Sequence, residues 1–425
     1  MSPSASGGAS GGASSPSATI PKLDASAVCS SASSAPVAEA FDRLGPITGP
    51  GGVLDAVQDT ASCLAGDQVS HLMEAWQYLG AAIRSVLCNA GDNAVHFAYY
   101  AQLRAALSIF AGSGIRLRLG DNYYLDSVGG RHSFKLKSGD RTHEAVWAVW
   151  KEWVKTPYAQ QLLSSNVSII SGVALSDLML VPTSPGVLLT NWGYDLARGH
   201  EDHDARIKAS YHGKARQPSP IMSEASVELV RRVWSLLMES GGGVVFDASL
   251  VRYFVEKYLT ELEEDSKASG GAAVDRGLEL SRIVSSTSSR KGVPASTLDA
   301  AFQAEVDLSL FDVALSSDTA AENVVCRALF LVRVGTMALA GNLENHGEEC
   351  KKWLVHWLAS AGIYDSASHA VPKDLAVNYG DALDELGDID LDDLPFSIWK
   401  GSAAAASALL ARPEGFIGWA LPLSA

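Results

Sequence analysis

Cysteine is scarce in this chain: there are five among 425 residues, Cys29, Cys63, Cys88, Cys326 and Cys350, and no two form a C-x-x-C pair. An odd, dispersed set does not read as a disulfide framework and predicts reduced thiols in a cytoplasmic protein. Basic residues are also in deficit, since 33 Lys+Arg against 48 Asp+Glu leave a net charge of −15. That balance excludes a broad cationic footprint for nucleic acid. Uninterrupted apolar runs are missing as well. The nearest, VVCRALFLVRVGTMALAG from Val324, carries Arg327 and Arg333 inside it, which predicts a buried helix rather than a membrane span. No basic residue precedes Lys22, so a secretory leader is not expected. The glycine run at Ser240 (SGGGVVF) lacks the Lys-Ser/Thr of a phosphate loop, there is no G-x-S-x-G elbow, and no repeat of fixed period emerges.

What is present is apolar material at helical spacing. Hydrophobic residues make up 47% of the chain, enough for a large core. Residues 1–40 contain 30 Ser, Ala, Gly or Pro, a composition that predicts a disordered tail. Beyond it, Leu72, Trp76, Leu79, Ile83 and Val86 mark one amphipathic helix, and the stretch from Asp92 to the glycines Gly112 and Gly114 marks a second, antiparallel to the first. Ile115–Lys137 alternates apolar and polar residues between Gly-containing turns, which predicts two or three short strands. Asp140 is placed to cap a third helix in which Val146, Val149, Trp150 and Trp153 form the apolar face. Residues 166–220, broken by Pro182, Pro185 and Gly193, read as irregular connections around a His-rich loop. Helical spacing returns over 223–239, 248–264, 274–285, 296–315, 319–342, 346–361 and 373–386. The expected fold is mainly α: a tail (1–40), a helical domain with a small β insertion (41–220) and a C-terminal helical domain (221–425).

The pairing of Tyr99-Tyr100, followed by Leu103, Ala105 and Ala106 on one helix, with Thr142-His143 opening a later helix, resembles the HEPN superfamily. The segment CRALFLVRVGTMAL and the ASYH at Ala209 add to the likeness, which covers about a fifth of the chain. The resemblance implies an HEPN-like bundle in a cytoplasmic component of a bacterial antiphage defence or stress module. Such a component acts through a protein partner from the same module or through RNA, and is able to form a homodimer. Active members of that family are metal-independent ribonucleases that use an arginine and a histidine four to six residues further on. Here Arg141 and His143 are only two apart, so the motif is degenerate at the expected helix. Arg206 and His212, with five residues between them, match the spacing in the His-rich loop. If the chain is an enzyme, an endoribonuclease is therefore the expected kind, with His143, Arg141 and Arg104 as one candidate set and Arg206 and His212 as the competing one.

A different chemistry is suggested by His200 and His203, which with Glu201, Asp202 and Asp204 form a cluster of metal-competent side chains. A solvated loop is the alternative reading of the same residues. His346, Cys350 and His356 also have ligand chemistry but lack a fourth neighbour. No cofactor-binding motif is present.

Overall fold

The computed structural model describes residues 20–44, 59–139, 141–178, 198–211, 222–240, 243–304, 307–344, 346–363, 374–389 and 402–423. They form a mainly α-helical protein, with 18 α-helices and nine short strands among the described residues.

Two short helices, α1 (Ala25–Ser31) and α2 (Ala35–Ala40), precede the long α3 (Thr60–Leu87), whose N-terminus Asp59 caps by accepting the Ser62 N–H at 2.9 Å. A tight turn with Asn89 in the left-handed region (φ 51°) leads into α4 (Gly91–Gly112). The β insertion follows: β2 (Ile115–Arg116), β3 (Tyr123–Leu125) and β4 (Arg131–Ser133) form an antiparallel sheet, with Tyr124 facing Ile115 on one side and His132 on the other. The N-terminal β1 (Lys22–Leu23) pairs in parallel with β5 (Lys135–Leu136). Next come α5 (Thr142–Trp153), α6 (Pro157–Asn166), the hairpin of β6 (Ser168–Ile170) and β7 (Val173–Ala174), α7 (Leu175–Leu178) and α8 (Gly199–Tyr211). After α9 (Glu224–Leu237), the hairpin of β8 (Glu239–Ser240) and β9 (Gly243–Val244) leads to α10 (Val245–Ala268), α11 (Arg276–Lys291), α12 (Ala295–Gln303) and α13 (Ser309–Leu315). The remaining helices are α14 (Ala321–Glu344), α15 (Glu348–Ser360), α16 (Leu375–Gly387), α17 (Ser402–Leu410) and α18 (Ile417–Ala420).

The core centres on α3, α4 and α14, which pack on one another along their length. Gly335 lets α14 approach α3 closely, since a Cβ there would lie 3.1 Å from the Leu72 side chain. Polar bonds also join these helices in the core: Trp76 Nε1 donates to Thr336 Oγ1 (3.2 Å) and Asn342 Nδ2 to Gln68 Oε1 (2.9 Å), while the Gln68 Nε2 amide is buried without a partner. By length and composition α14 could cross a membrane, yet 89% of its most apolar window is buried within this fold. Its two arginines are buried too. Arg327 grips Asp202 of α8 through two bonds of 2.6 and 2.8 Å, with both side chains fully buried, and Arg333 grips Asp247 of α10 at 2.6 and 2.9 Å. Fork-to-carboxylate pairing of this kind is what makes a charge tolerable inside a core.

Several expectations need correction. Residues 20–40 are not a disordered tail: α1 packs on α5, and Val28, Val37 and Ala40 are fully buried. The segment docks by backbone, because the Ser33 N–H donates to Leu125 and a Cβ on Gly114 (φ +83°) would strike the Ser33 carbonyl at 2.1 Å. Small side chains permitted that approach, while a count of Ser and Ala read only their low hydrophobicity. The first 19 residues lie outside the described ones, as do Asp140 and residues 179–197. The segment read as one helix over 296–315 divides into α12 and α13, and α17 had no counterpart in the reading of periodicity. The boundary at 220 does not coincide with a division of the core, since α14 from the second half packs directly on α3 and α4 from the first. The His-rich loop is a helix, α8, and it builds the site described next.

Candidate functional site

Helix α8 escaped detection because it has almost no apolar face. Its buried positions are Gly199, Asp202 and Arg206, spaced at i, i+3 and i+7 along one side. Gly199 lies flat on Trp147, where a Cβ would come within 1.9 Å of the indole. Asp202 binds Arg327 and accepts from Gln102 Nε2 at 2.9 Å. Polar bonds and one glycine therefore seat this helix against α4 and α5, and that seating carries Arg206 and His203 to the residues singled out on the other two helices.

At the junction of α4, α5 and α8, Tyr99 is fully buried and its hydroxyl lies 2.8 Å from His143 Nδ1. The His143 ring stacks on His203 with centroids 5.0 Å apart. Arg206 donates to the Tyr100 hydroxyl at 2.9 Å, and its guanidinium sits over the rings of Tyr100 and Tyr99 at 5.1 and 5.6 Å. His96 stands next to Tyr100 (5.1 Å between ring centroids) and bonds Ser210 of α8 at 2.8 Å. His143 and Tyr100 also line a groove of about 470 Å³ together with Leu103, Arg104, Arg116 and Arg118.

Arg206 is only 8% exposed, its Nε is buried without a hydrogen-bond partner, and among the described residues no carboxylate pairs with it. A buried charge without a counter-charge is costly. It also lowers the proton affinity of the imidazoles around it. His143 is pushed down to about 4, first by burial and then by the charges of His203, Arg206 and Arg104. His203 and His96 shift in the same direction, again led by burial with Arg206 next. At neutral pH His143 is therefore uncharged. Burial raises the Tyr99 hydroxyl, which stays protonated, and its hydrogen has His143 Nδ1 as acceptor while Trp147 Nε1 approaches the same oxygen at 3.5 Å. A hydrogen bond from Tyr99 to Nδ1 assigns the imidazole proton to Nε2, making His143 a neutral donor.

The sequence-derived candidates fall out unevenly. His143, His203 and Arg206, assigned to three different readings, belong to one cluster. Arg104 acts on His143 electrostatically, but its Nε is 2.9 Å from Glu74 and it donates to His71 at 3.2 Å, so its charge is largely compensated. Arg141 stands apart, with its side chain 85% exposed and 3.9 Å from Glu144. His212 lies outside the described residues. Of the residues read as metal-competent, His200 is exposed, His203 is stacked on His143, and Asp202 is taken up by Arg327. Among the described residues no three His, Cys, Asp or Glu side chains stand close enough to hold an ion. His346 instead bonds Asp42 at 2.7 Å, and burial pushes the Cys350 thiol up to about 12. Tyr100 and Ser210 were quoted in the sequence only as parts of a pattern, and here they contact Arg206 and His96 directly.

The fold and this cluster define a mainly α-helical protein with a buried cationic site walled by tyrosine and histidine. Comparison with protein-family models, curated proteins and solved structures finds no match to this chain.

Proposed function

We propose that the α4–α5–α8 junction is a phosphate-recognition site and that the chain serves as an RNA-binding component of a bacterial defence or stress module, built on an HEPN-like scaffold. The observation that carries this reading is the unpaired guanidinium of Arg206, nine-tenths buried among hydrogen-bonding groups. A phosphate oxygen supplies the missing counter-charge, and a guanidinium matches it in geometry. The neutral His143, with its proton on Nε2, adds a donor beside it. Because the chain as a whole carries −15, the ligand is a short single-stranded segment read at one or two phosphates rather than a long duplex tracked by a basic face.

A second reading, metal-independent cleavage of RNA, is favoured by the proximity of Arg206 to His143. In that chemistry the 2′-oxygen attacks phosphorus and the 5′-oxygen leaves, so one group must take the 2′-hydroxyl proton. His143 could do this only after the Nε2 proton moved elsewhere, which places binding ahead of catalysis. The test is an anisotropy titration of a labelled single-stranded RNA in EDTA, with the same mixtures run on a gel. Wild type should bind, and Arg206→Gln should lose about tenfold or more in affinity, the scale of one charge-assisted bond. Binding without product supports the first reading and a 2′,3′-cyclic phosphate product the second. Equal affinity for wild type and Arg206→Gln overturns both.

A further inference from the structure

A separate cavity of about 470 Å³, sharing no lining residue with the histidine cluster, opens between α3 and α17. Its cause is local: Gly80 and Ala81 of α3 face Ala404, Ala408 and Ala411, and the closest approach, with a Cβ on Gly80 only 2.6 Å from the Ala411 carbonyl, is not matched by side chains large enough to fill the space beside it. The volume falls inside the roughly 300–1,000 Å³ typical of small-molecule sites.

The walls are divided by polarity. Leu87 and Met222 are buried apolar groups, 3% and 4% exposed. Among the described residues the charged groups that line the cavity are Arg84 and Arg412, with no Asp or Glu, in a chain with fifteen more acidic than basic residues. Arg412 has a partner in Glu414 at 2.5 Å, whereas Arg84 makes no ion pair among the described residues and is exposed. The hydroxyl of Ser407 is buried in the same lining with no hydrogen-bond partner. An apolar interior, a cationic mouth and one unsatisfied hydroxyl together match one ligand chemistry. We infer that the cavity between α3 and α17 binds an apolar chain ending in a carboxylate, with the tail against Leu87 and Met222 and the head at Arg84. The head supplies the anion that Arg84 lacks, and its oxygens are acceptors for an unpaired hydroxyl. This site does not depend on the reading given to Arg206.

The cavity contains its own reporter. Cys88 lies in its lining and is the exposed cysteine, while Cys29, Cys326 and Cys350 are buried and Cys63 is intermediate. With the full chain, decanoate should slow modification of Cys88 by a thiol-reactive dye, Cys88→Ser identifying the signal, and calorimetry should give a saturable isotherm. Two variants sharpen the claim. Ala408→Trp, at an exposed position that also lines the cavity, should abolish decanoate binding by filling the space. Arg84→Gln should weaken decanoate about tenfold while leaving 1-decanol unchanged. Absence of decanoate binding, unchanged binding in a folded Ala408→Trp, or decanol binding as tightly as decanoate would each overturn the inference.

Discussion

The interior of α14 and the α4–α5–α8 junction both bury arginine, and they treat it in opposite ways. Arg327 and Arg333 each meet a carboxylate through two bonds, and Arg327 further donates to the Ser316 and Asp318 carbonyls at 2.8 Å. Arg206, one α8 turn from Asp202, meets tyrosine hydroxyl and aromatic faces and keeps an unsatisfied Nε. Networks closed by a carboxylate, such as Asp202 with Arg327, fix the packing of helices, although Arg333 too keeps one buried nitrogen, Nη1, without a partner. In the proposed reading, the charge of Arg206, which no carboxylate meets among the described residues, is kept for a ligand. Helix α8 carries both Asp202 and Arg206, so the Asp202–Arg327 pair positions that guanidinium.

The sharpest way to break this comparison is to open the closed network. Asp202→Ala leaves Arg327 buried with no counter-charge, and the expected loss is on the order of 3–5 kcal/mol in denaturant unfolding. The double variant Asp202→Leu with Arg327→Met should recover much of that loss, because the penalty lies in the orphaned charge. A loss under about 1 kcal/mol for the single variant would show that the pair is not the anchor of α8.

Arg206→Gln is the counterpart. Among the described residues no carboxylate is orphaned by it, and what disappears is the 2.9 Å bond to the Tyr100 hydroxyl and a cation–π contact worth about 0.5–1 kcal/mol, offset by relief of a desolvated charge. The stability of the fold should therefore change by less than about 1 kcal/mol, while ligand affinity falls. A collapse as large as that of Asp202→Ala would make Arg206 structural.

The remaining expected effect is confined to acidic solution. His143 binds its proton at about 4 in the fold against 6.5 in the unfolded chain. Between those values the unfolded state holds more protons, so stability falls as pH drops through that window, and it is unaffected by this group above it. His143→Gln should flatten the decline in melting temperature between about pH 6.5 and about pH 4, with His203 and His96 supplying the slope that remains. A profile unchanged by the substitution would mean that His143 is not held neutral.

Much of the helical layout could be read from spacing, and the reason is visible in particular residues. Leu72, Trp76, Leu79 and Ile83 recur with the helical period and are all buried, as are Val146, Val149, Trp150 and Trp153 of α5. Where burial is achieved by other means, periodicity is silent. The side of α8 that faces the core is Gly199, Asp202 and Arg206, so a hydrophobicity pattern takes it for a loop. α1 and α2 hide in a Ser- and Ala-rich composition because their docking relies on backbone bonds such as Ser33 to Leu125. The site was legible only in pieces: His143, His203 and Arg206 were each marked, but residues 60 positions apart join through a partnership of Asp202 with Arg327, 125 positions away, that no local motif encodes. The arginines inside the apolar run at Val324 were the one available signal that carboxylates elsewhere had to meet them.

The most direct test of the open site uses inorganic phosphate and thermal unfolding. Phosphate that binds the folded chain at Arg206 raises its melting temperature with concentration by mass action, beyond the shift given by chloride at equal ionic strength. The account predicts this excess stabilisation in wild type and in Arg84→Gln, which lies at the other cavity, and its loss in Arg206→Gln. An excess of the same size in Arg206→Gln, or none in wild type, would contradict it.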